Sequence, residues 1–182
     1  MSFCLWLTGL PGSGKSTILG ELLDRFSEAG IEAAVLGLDD IRKVITPEPG
    51  YTEEERGIVY RSLVMMAKLL SKECGKNVVI DATGNRREFR DLARRLIPGF
   101  AEIYIECPLK TCREREALRR GASVEKNLYG RALEGKLKGQ MPGVSVPYEA
   151  PPNPEVVVRS DILTPGEAAG RIMAYVETVE SG

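Results

Sequence analysis

The chain has 182 residues, 43% of them apolar and 28% charged, which fits one soluble globular domain at about 150 residues per domain. It carries 25 Lys and Arg against 26 Asp and Glu and no histidine, so Ser-His-Asp and Cys-His nucleophiles, imidazole bases and His-ligated metals are excluded. A formal net charge of −1 argues against a general nucleic-acid binder, which needs a surplus of Lys and Arg.

Phe3 to Thr8 is a solid apolar run, the pattern of a strand buried on both faces. It has no basic flank and is too short for a signal peptide. Ser16 to Ala29 sets Ile18, Leu19, Leu22, Leu23 and Phe26 at helical spacing, with Gly30 as the stop. Ala33 to Leu38 predicts a second strand. Thr52 and Glu55 form a capping box that opens a long helix through Val59, Leu63, Val64, Ala67 and Leu70 to about Ser71. Asn77 to Asp81 reads as a third strand, and Arg86 to Leu96 as a helix stopped by Pro98-Gly99. Ala101 to Cys107 is a fourth strand, followed by a helix over Thr111 to Arg120. A less regular stretch with a short helix near Asn127 to Leu137 runs to Pro154. Glu155 to Val158 makes a fifth strand, and Thr164-Pro165-Gly166-Glu167 is a second capping box with Pro at the first helical position. Solid apolar strands alternating with helices predict a single α/β domain over 1–182, with a five-stranded parallel sheet covered on both faces. No run approaches the ~20 apolar residues of a membrane span. Cys4, Cys74, Cys107 and Cys112 read as reduced thiols, and Cys107 and Cys112, without zinc-site spacing, as packing residues. These features point to a cytoplasmic protein.

Gly9-Leu10-Pro11-Gly12-Ser13-Gly14-Lys15-Ser16 is a full match to G-x-x-x-x-G-K-[ST], placed between the first strand and the first helix. The glycines let the backbone N–H groups from Gly9 to Thr17 wrap a phosphate, and the helix N-terminus adds partial positive charge. Lys15 is expected to bridge the β- and γ-phosphates of a nucleoside triphosphate, and Ser16 to ligate Mg²⁺. The dinucleotide pattern G-x-G-x-x-G fails, because the run from Gly12 ends in Thr17.

Phosphoryl transfer also needs a group to orient the attacking hydroxyl and take its proton. Asp39 and Asp40 lie just past the second strand, at the sheet edge where ligands of open α/β sheets bind. Either can be that base, and Asp40 can instead cap the short helix that follows. Asp81 ends the third strand, where it can support Mg²⁺ or cap the turn Asp81-Ala82-Thr83-Gly84-Asn85.

With these residues placed, the chain resembles the adenylyl-sulfate kinase family over roughly Phe3 to Val158. The opening Leu5-Trp6-Leu7-Thr8 with its phosphate loop is similar to the family's, and Leu36-Gly37-Leu38-Asp39-Asp40-Ile41-Arg42 sits at its L-D-G-D-x-x-R. Cys112 and Arg115 fall at its lid entry, Lys126-Asn127-Leu128-Tyr129 at its K-G-L-Y, and Pro147-Tyr148-Glu149 through Glu155 at its narrowest string. The resemblance implies transfer of the ATP γ-phosphate to the 3'-hydroxyl of adenosine 5'-phosphosulfate, with Mg²⁺ and a lid over about 109–150. It assigns Lys15, Asp39 and Arg115 to catalysis, and Asp39, Arg42, Tyr51, Arg56, Lys126 and Lys138 to the anionic acceptor. A homodimer is compatible with it.

The departures fall on the acceptor side. Tyr51 keeps one of two aromatics that hold the substrate adenine in the family, but Gln140 and Met141 replace the F-T of its G-F-T-G loop. Val59 stands at a substrate-binding Asn, Thr83-Gly84-Asn85 replaces its I-S-P, and about nine residues from Ala117 to Glu125 are inserted. Loss of one stacking aromatic removes about 1–3 kcal/mol. A kinase for another nucleotide-linked or small anionic metabolite is therefore the second reading, and a slow nucleotide-hydrolysing regulator the third. Arg86, Arg87, Arg90, Arg94 and Arg95 read as a solvated helix face, with Arg86 and Arg87 near enough to the strand end to meet an anion. Trp6 reads as core.

Overall fold

The alternation along the first strand sets the architecture. Leu5 and Leu7 point to one apolar layer and Cys4 and Trp6 to the other, so β1 (Cys4–Thr8) is buried at all of its positions. A computed structural model describes residues 2–118, 128–135 and 139–180. In chain order β1 is followed by α1 (Lys15–Glu28), β2 (Ala33–Gly37), α2 (Leu38–Ile45) and α3 (Glu53–Lys68), which runs into a π-helical turn at Leu69–Glu73. Then come β3 (Asn77–Asp81), α4 (Arg87–Leu96), β4 (Phe100–Glu106), α5 (Leu109–Leu118), α6 (Leu128–Leu133), β5 (Val156–Arg159) and α7 (Pro165–Glu180).

The five strands pair in parallel in the order β2-β3-β1-β4-β5. Helices α1 and α7 cover one face, where Ile18, Leu22, Phe26, Ile172 and Val176 close over Leu5, Leu7 and Ile103. Helices α3 and α4 cover the other, where Tyr60, Leu63, Phe89 and Ala93 close over Trp6, Val78 and Ile80. Trp6 is fully buried and donates its indole N–H to the Ala82 carbonyl at 2.9 Å, so the ring is core as expected and its polar edge is satisfied. The register puts Leu7 and Gly37 level with Asp81 on either side of β3. The ends of β1, β2 and β3 therefore open on one edge of the sheet.

The capping box of α7 forms with both of its bonds, and that of α3 with its N-cap bond. The Glu55 N–H donates to Thr52 Oγ1 at 3.1 Å, and at α7 Thr164 Oγ1 accepts from the Glu167 N–H while Glu167 Oε2 accepts from Thr164 N. Three expectations shift. Asp39 and Asp40 lie inside the first turn of α2 rather than ahead of it, because Gly37 in extended conformation is the N-cap and the two carboxylates complement the helix N-terminus. The long third helix changes to π geometry at Leu69 before it ends.

The largest correction concerns the arginine face of α4. Arg90 is fully buried, with Nε donating to Glu102 Oε1 at 2.7 Å, Nη1 to the Gly84 carbonyl, and Nη2 to the Glu149 carbonyl at 2.6 Å. Arg94 bridges Glu102 and Glu155. A carboxylate placed inside β4 draws these cations inward, and the helical pattern of α4 by itself does not reveal that partner.

Candidate active site

The Gly9–Lys15 loop follows β1 and turns into α1 with Gly14 as a left-handed N-cap. At Gly12 (φ +79°) a Cβ would stand 2.4 Å from the Cys112 carbonyl oxygen, so only glycine lets α5 pack onto the loop. Lys15 is nine-tenths buried and donates to the carbonyls of Gly9 (2.9 Å) and Leu10 (3.0 Å), which holds the ammonium across the loop. Ser13 Oγ is buried without a hydrogen-bond partner among the described residues. Ser16 Oγ donates to Asp81 Oδ2 at 3.1 Å, so the first helix and the third strand bring a hydroxyl and a carboxylate together beside the loop.

The segment after Asp81 is held along its whole length. The Ala82 carbonyl accepts from Trp6, the Thr83 carbonyl from Thr8 Oγ1 (2.6 Å), and the Gly84 N–H donates to the buried Tyr60 hydroxyl (3.0 Å). Arg90 takes the Gly84 carbonyl, the Glu149 N–H takes the Asn85 carbonyl (2.8 Å), and Glu149 Oε2 caps the Arg87 N–H (2.7 Å). Thr8 Oγ1 also meets the Tyr148 hydroxyl at 2.9 Å; burial, foremost, pushes the Tyr148 phenol well above its ordinary value, so it stays protonated.

On the far side of this segment, Arg42, Tyr51, Thr52, Glu55, Arg56 and Val59 line one pocket. Arg56 is partly buried, which lowers its pKa, and the Arg42 charge acts the same way. No hydrogen bond or ion pair engages the side chains of Asp39 or Arg42 among the described residues, whereas Asp40 is bound to Lys43 at 2.8 Å on the surface. Tyr51 is a non-glycine residue at φ 55°, and the backbone at Gly139 (φ +102°) lies so close that a Cβ there would stand 2.8 Å from its ring. Met141 is buried with Cys107, Cys112 and Tyr129 in a separate apolar cluster under α5 and α6.

A model of one protein family, described as adenylylsulphate kinase, matches residues 1–159. The chain belongs to that family. It is 37% identical over 161 residues to the probable adenylyl-sulfate kinase of Archaeoglobus fulgidus, covering 88% of this chain and 97% of that one. It is 35% identical over 173 residues to the adenylyl-sulfate kinase of Rippkaea orientalis, covering 95% and 90%. Among solved structures, the Mycobacterium tuberculosis APS kinase in complex with AMPPNP and APS superposes with a TM-score of 0.83 at 30% identity, over 97% and 98% of the two chains. The resemblance read from the motifs and the parallel α/β architecture both hold.

Within this adenylyl-sulfate kinase family fold, the residues singled out by sequence divide into three groups. Gly9 to Thr17, Lys15, Ser16 and Asp81 converge at the phosphate loop. Arg42, Tyr51 and Arg56 line one pocket. Arg115 lies apart from that pocket: Nη1 donates to Ser160 Oγ (3.2 Å) and Nη2 to the Ser160 carbonyl (2.6 Å), while Ser160 Oγ itself donates to the Ser13 carbonyl (2.6 Å). Lys126 and Lys138 lie outside the described residues, as does most of the 117–125 insertion. Asn85, Ser160, Tyr148 and the Tyr129 hydroxyl, which donates to the Pro11 carbonyl at 2.7 Å, were not assigned roles from sequence. Their signal is tertiary, since each meets a partner 29 to 147 positions away.

Proposed function

We propose that this family member transfers the γ-phosphate of ATP to the 3'-hydroxyl of adenosine 5'-phosphosulfate. The observation that carries the reading is the pocket lined by Arg42, Tyr51 and Arg56, two cations and an aromatic ring suited to an anionic nucleotide, with the Asp39 carboxylate, which makes no hydrogen bond or ion pair among the described residues, in the first turn of α2 ahead of Arg42. As a member of this kinase family the protein is a phosphotransferase with a hydroxyl acceptor.

The loop from Gly9 to Thr17 holds the triphosphate through its N–H groups, and Lys15 turns from the loop carbonyls onto the β- and γ-oxygens. Ser16 and Asp81 offer hard oxygen donors of the kind Mg²⁺ prefers, and no group of three or more His, Cys, Asp or Glu competes as a metal site among the described residues. Mg²⁺ held by Ser16 and Asp81 would supply positive charge to offset that of the triphosphate. Asp39 accepts the proton of the acceptor hydroxyl as its oxygen bonds to the γ-phosphorus and the bond to the bridging β–γ oxygen breaks, releasing ADP. Arg115, fixed by Ser160 against the loop, supplies positive charge on the donor side. Arg42, Arg56, Lys126 and Lys138 hold the acceptor's anionic groups, and Tyr51 carries its base. Residues 109–150 act as the lid of a single domain. We place the protein in the cytoplasm, with a second copy in a homodimer as its partner and without nucleic acid; no helix among the described residues is long and apolar enough to cross a membrane.

One observation favours a second reading. Gly139 rests against the Tyr51 ring and Met141 is buried elsewhere, so the base slot differs from a two-sided aromatic clamp. Another nucleotide-linked or small anionic hydroxyl compound would fit that change. ATP consumption measured across acceptors, adenosine 5'-phosphosulfate first, separates the two. Turnover with that acceptor supports the main reading, and turnover only with a different hydroxyl acceptor overturns it.

A further inference from the structure

Around the Ala82–Arg87 segment the arginines are held in two ways. Arg86 is paired with Glu53 (2.6 Å) and Glu88 (3.2 Å), and Arg90 and Arg94 with Glu102. Each of these cations is neutralised by a carboxylate. Arg56 is different. Its guanidinium donates to Asn85 Oδ1 at 3.2 Å and forms no ion pair among the described residues, the Glu53 carboxylate, bound to Arg86, acting on it only from farther off.

Asn85 is 2% exposed, and its side chain is not needed to shape the loop. The backbone from Ala82 to Arg87 is already fixed by bonds to Trp6, Thr8, Tyr60, Arg90 and Glu149. Its carboxamide oxygen instead faces Arg56, and its Nδ2 leans toward the Pro147 carbonyl at 3.5 Å. Asn85 lines a cavity of about 350 Å³ with Arg86, Glu88, Val146, Pro147 and Glu149, while Arg56 lines the neighbouring pocket with Arg42 and Tyr51. The Asn85–Arg56 bond thus links a lining residue of one space to a lining residue of the other.

We infer that Asn85 is a positioning and specificity residue of the acceptor site: its neutral carboxamide aims Arg56 without cancelling its charge, which is kept for an anionic sulfate or phosphate group of the acceptor. A neutral acceptor orients a guanidinium, whereas a carboxylate at the same distance forms a charge-assisted bond about twice as strong and competes with the ligand. The inference deepens the acceptor assignment above and rests on it.

Asn85→Asp and Asn85→Ala distinguish aiming from mere packing. Asn85→Asp is nearly isosteric and installs the competing carboxylate, so the KM for the acceptor should rise by about ten-fold or more, with kcat and the KM for ATP moving far less. Asn85→Ala loses the aim but not the charge, so the acceptor KM should rise by only about three- to ten-fold. Melting temperatures of both variants report whether the loop has been disturbed. The same proteins, with the phosphate loop saturated by AMPPNP and Mg²⁺, are titrated with inorganic sulfate by calorimetry. Sulfate affinity is expected to fall most in Asn85→Asp. If wild type turns over no adenosine 5'-phosphosulfate yet still shows this order of sulfate affinities, the acceptor assignment fails and the role of Asn85 stands. Unchanged sulfate affinity in Asn85→Asp, or equal losses in kcat and both KM values in the two variants, overturns the role of Asn85.

Discussion

Asp39 and Asp40 are adjacent in the first turn of α2, both exposed, yet their surroundings differ. Asp40 is tied to Lys43, whose pKa is raised first by that hydrogen bond and then by the Asp40 charge. Asp39 has no such partner and lies close enough to Tyr60, beside Arg56 and Arg42, for its charge to be felt there. The chemistry of the pair leaves either carboxylate open as the base, the family resemblance points to Asp39, and the side-chain partners separate the two in the same sense. Asp39→Ala is expected to lower kcat by about two to four orders of magnitude, the range of a lost general base, with ATP affinity nearly unchanged. Asp40→Ala is expected to retain near-wild-type turnover, since it removes only an exposed ion pair. Steady-state kinetics of the two variants check this, and the reverse ranking would transfer the base to Asp40.

Helix α4 shows how an element read correctly in position can be misread in character. Its limits were legible to within one residue from the Pro98-Gly99 stop, but its arginines were not, because their carboxylate partners come from β4 and from just before β5. Arg90 connects α4 with β4, the loop after β3 and the Pro147–Glu149 strap. Replacing it with Met would leave Glu102, 4% exposed, with one partner fewer in the core. The expected loss is about 3–5 kcal/mol, the range for breaking a buried pair by removing one member. Chemical denaturation measures it, and a loss below about 1 kcal/mol would show that Glu102 is relieved by Arg94 or by water.

Over the whole molecule, the sheet and α4 are joined by polar links, one of which responds to pH. Glu155, just before β5, accepts from Arg94 and from the Glu102 N–H. Burial opposes its ionisation, but those bonds outweigh it and hold the carboxyl below the ordinary glutamate value of 4.5. Since the folded value lies below the unfolded one, the stabilisation is complete above about pH 4.5 and is lost as pH falls through the folded value. Glu155→Gln should lower the melting temperature at neutral pH and flatten its acid limb below about pH 4.5. Parallel acid limbs for the variant and wild type would remove Glu155 from this role. Tyr129 on Pro11 and Gly12 under Cys112 tie the phosphate loop to α6 and α5.

The phosphate loop, the strand and helix order and both capping boxes were determined by the sequence itself, because each depends on residues within one turn or one strand of each other. The family followed from the same short strings. What the tertiary structure decided is which charges are spent. Arg90 and Arg94 are committed to carboxylates and Asp40 to Lys43, while Asp39 and Arg42 carry no partner among the described residues, and Arg56 and Arg115 are held by neutral groups of Asn85 and Ser160. Whether a charge is available for a ligand depends on what lies across space from it. That distance is fixed by the packing of α3 and α4 on the sheet, and no local pattern encodes it.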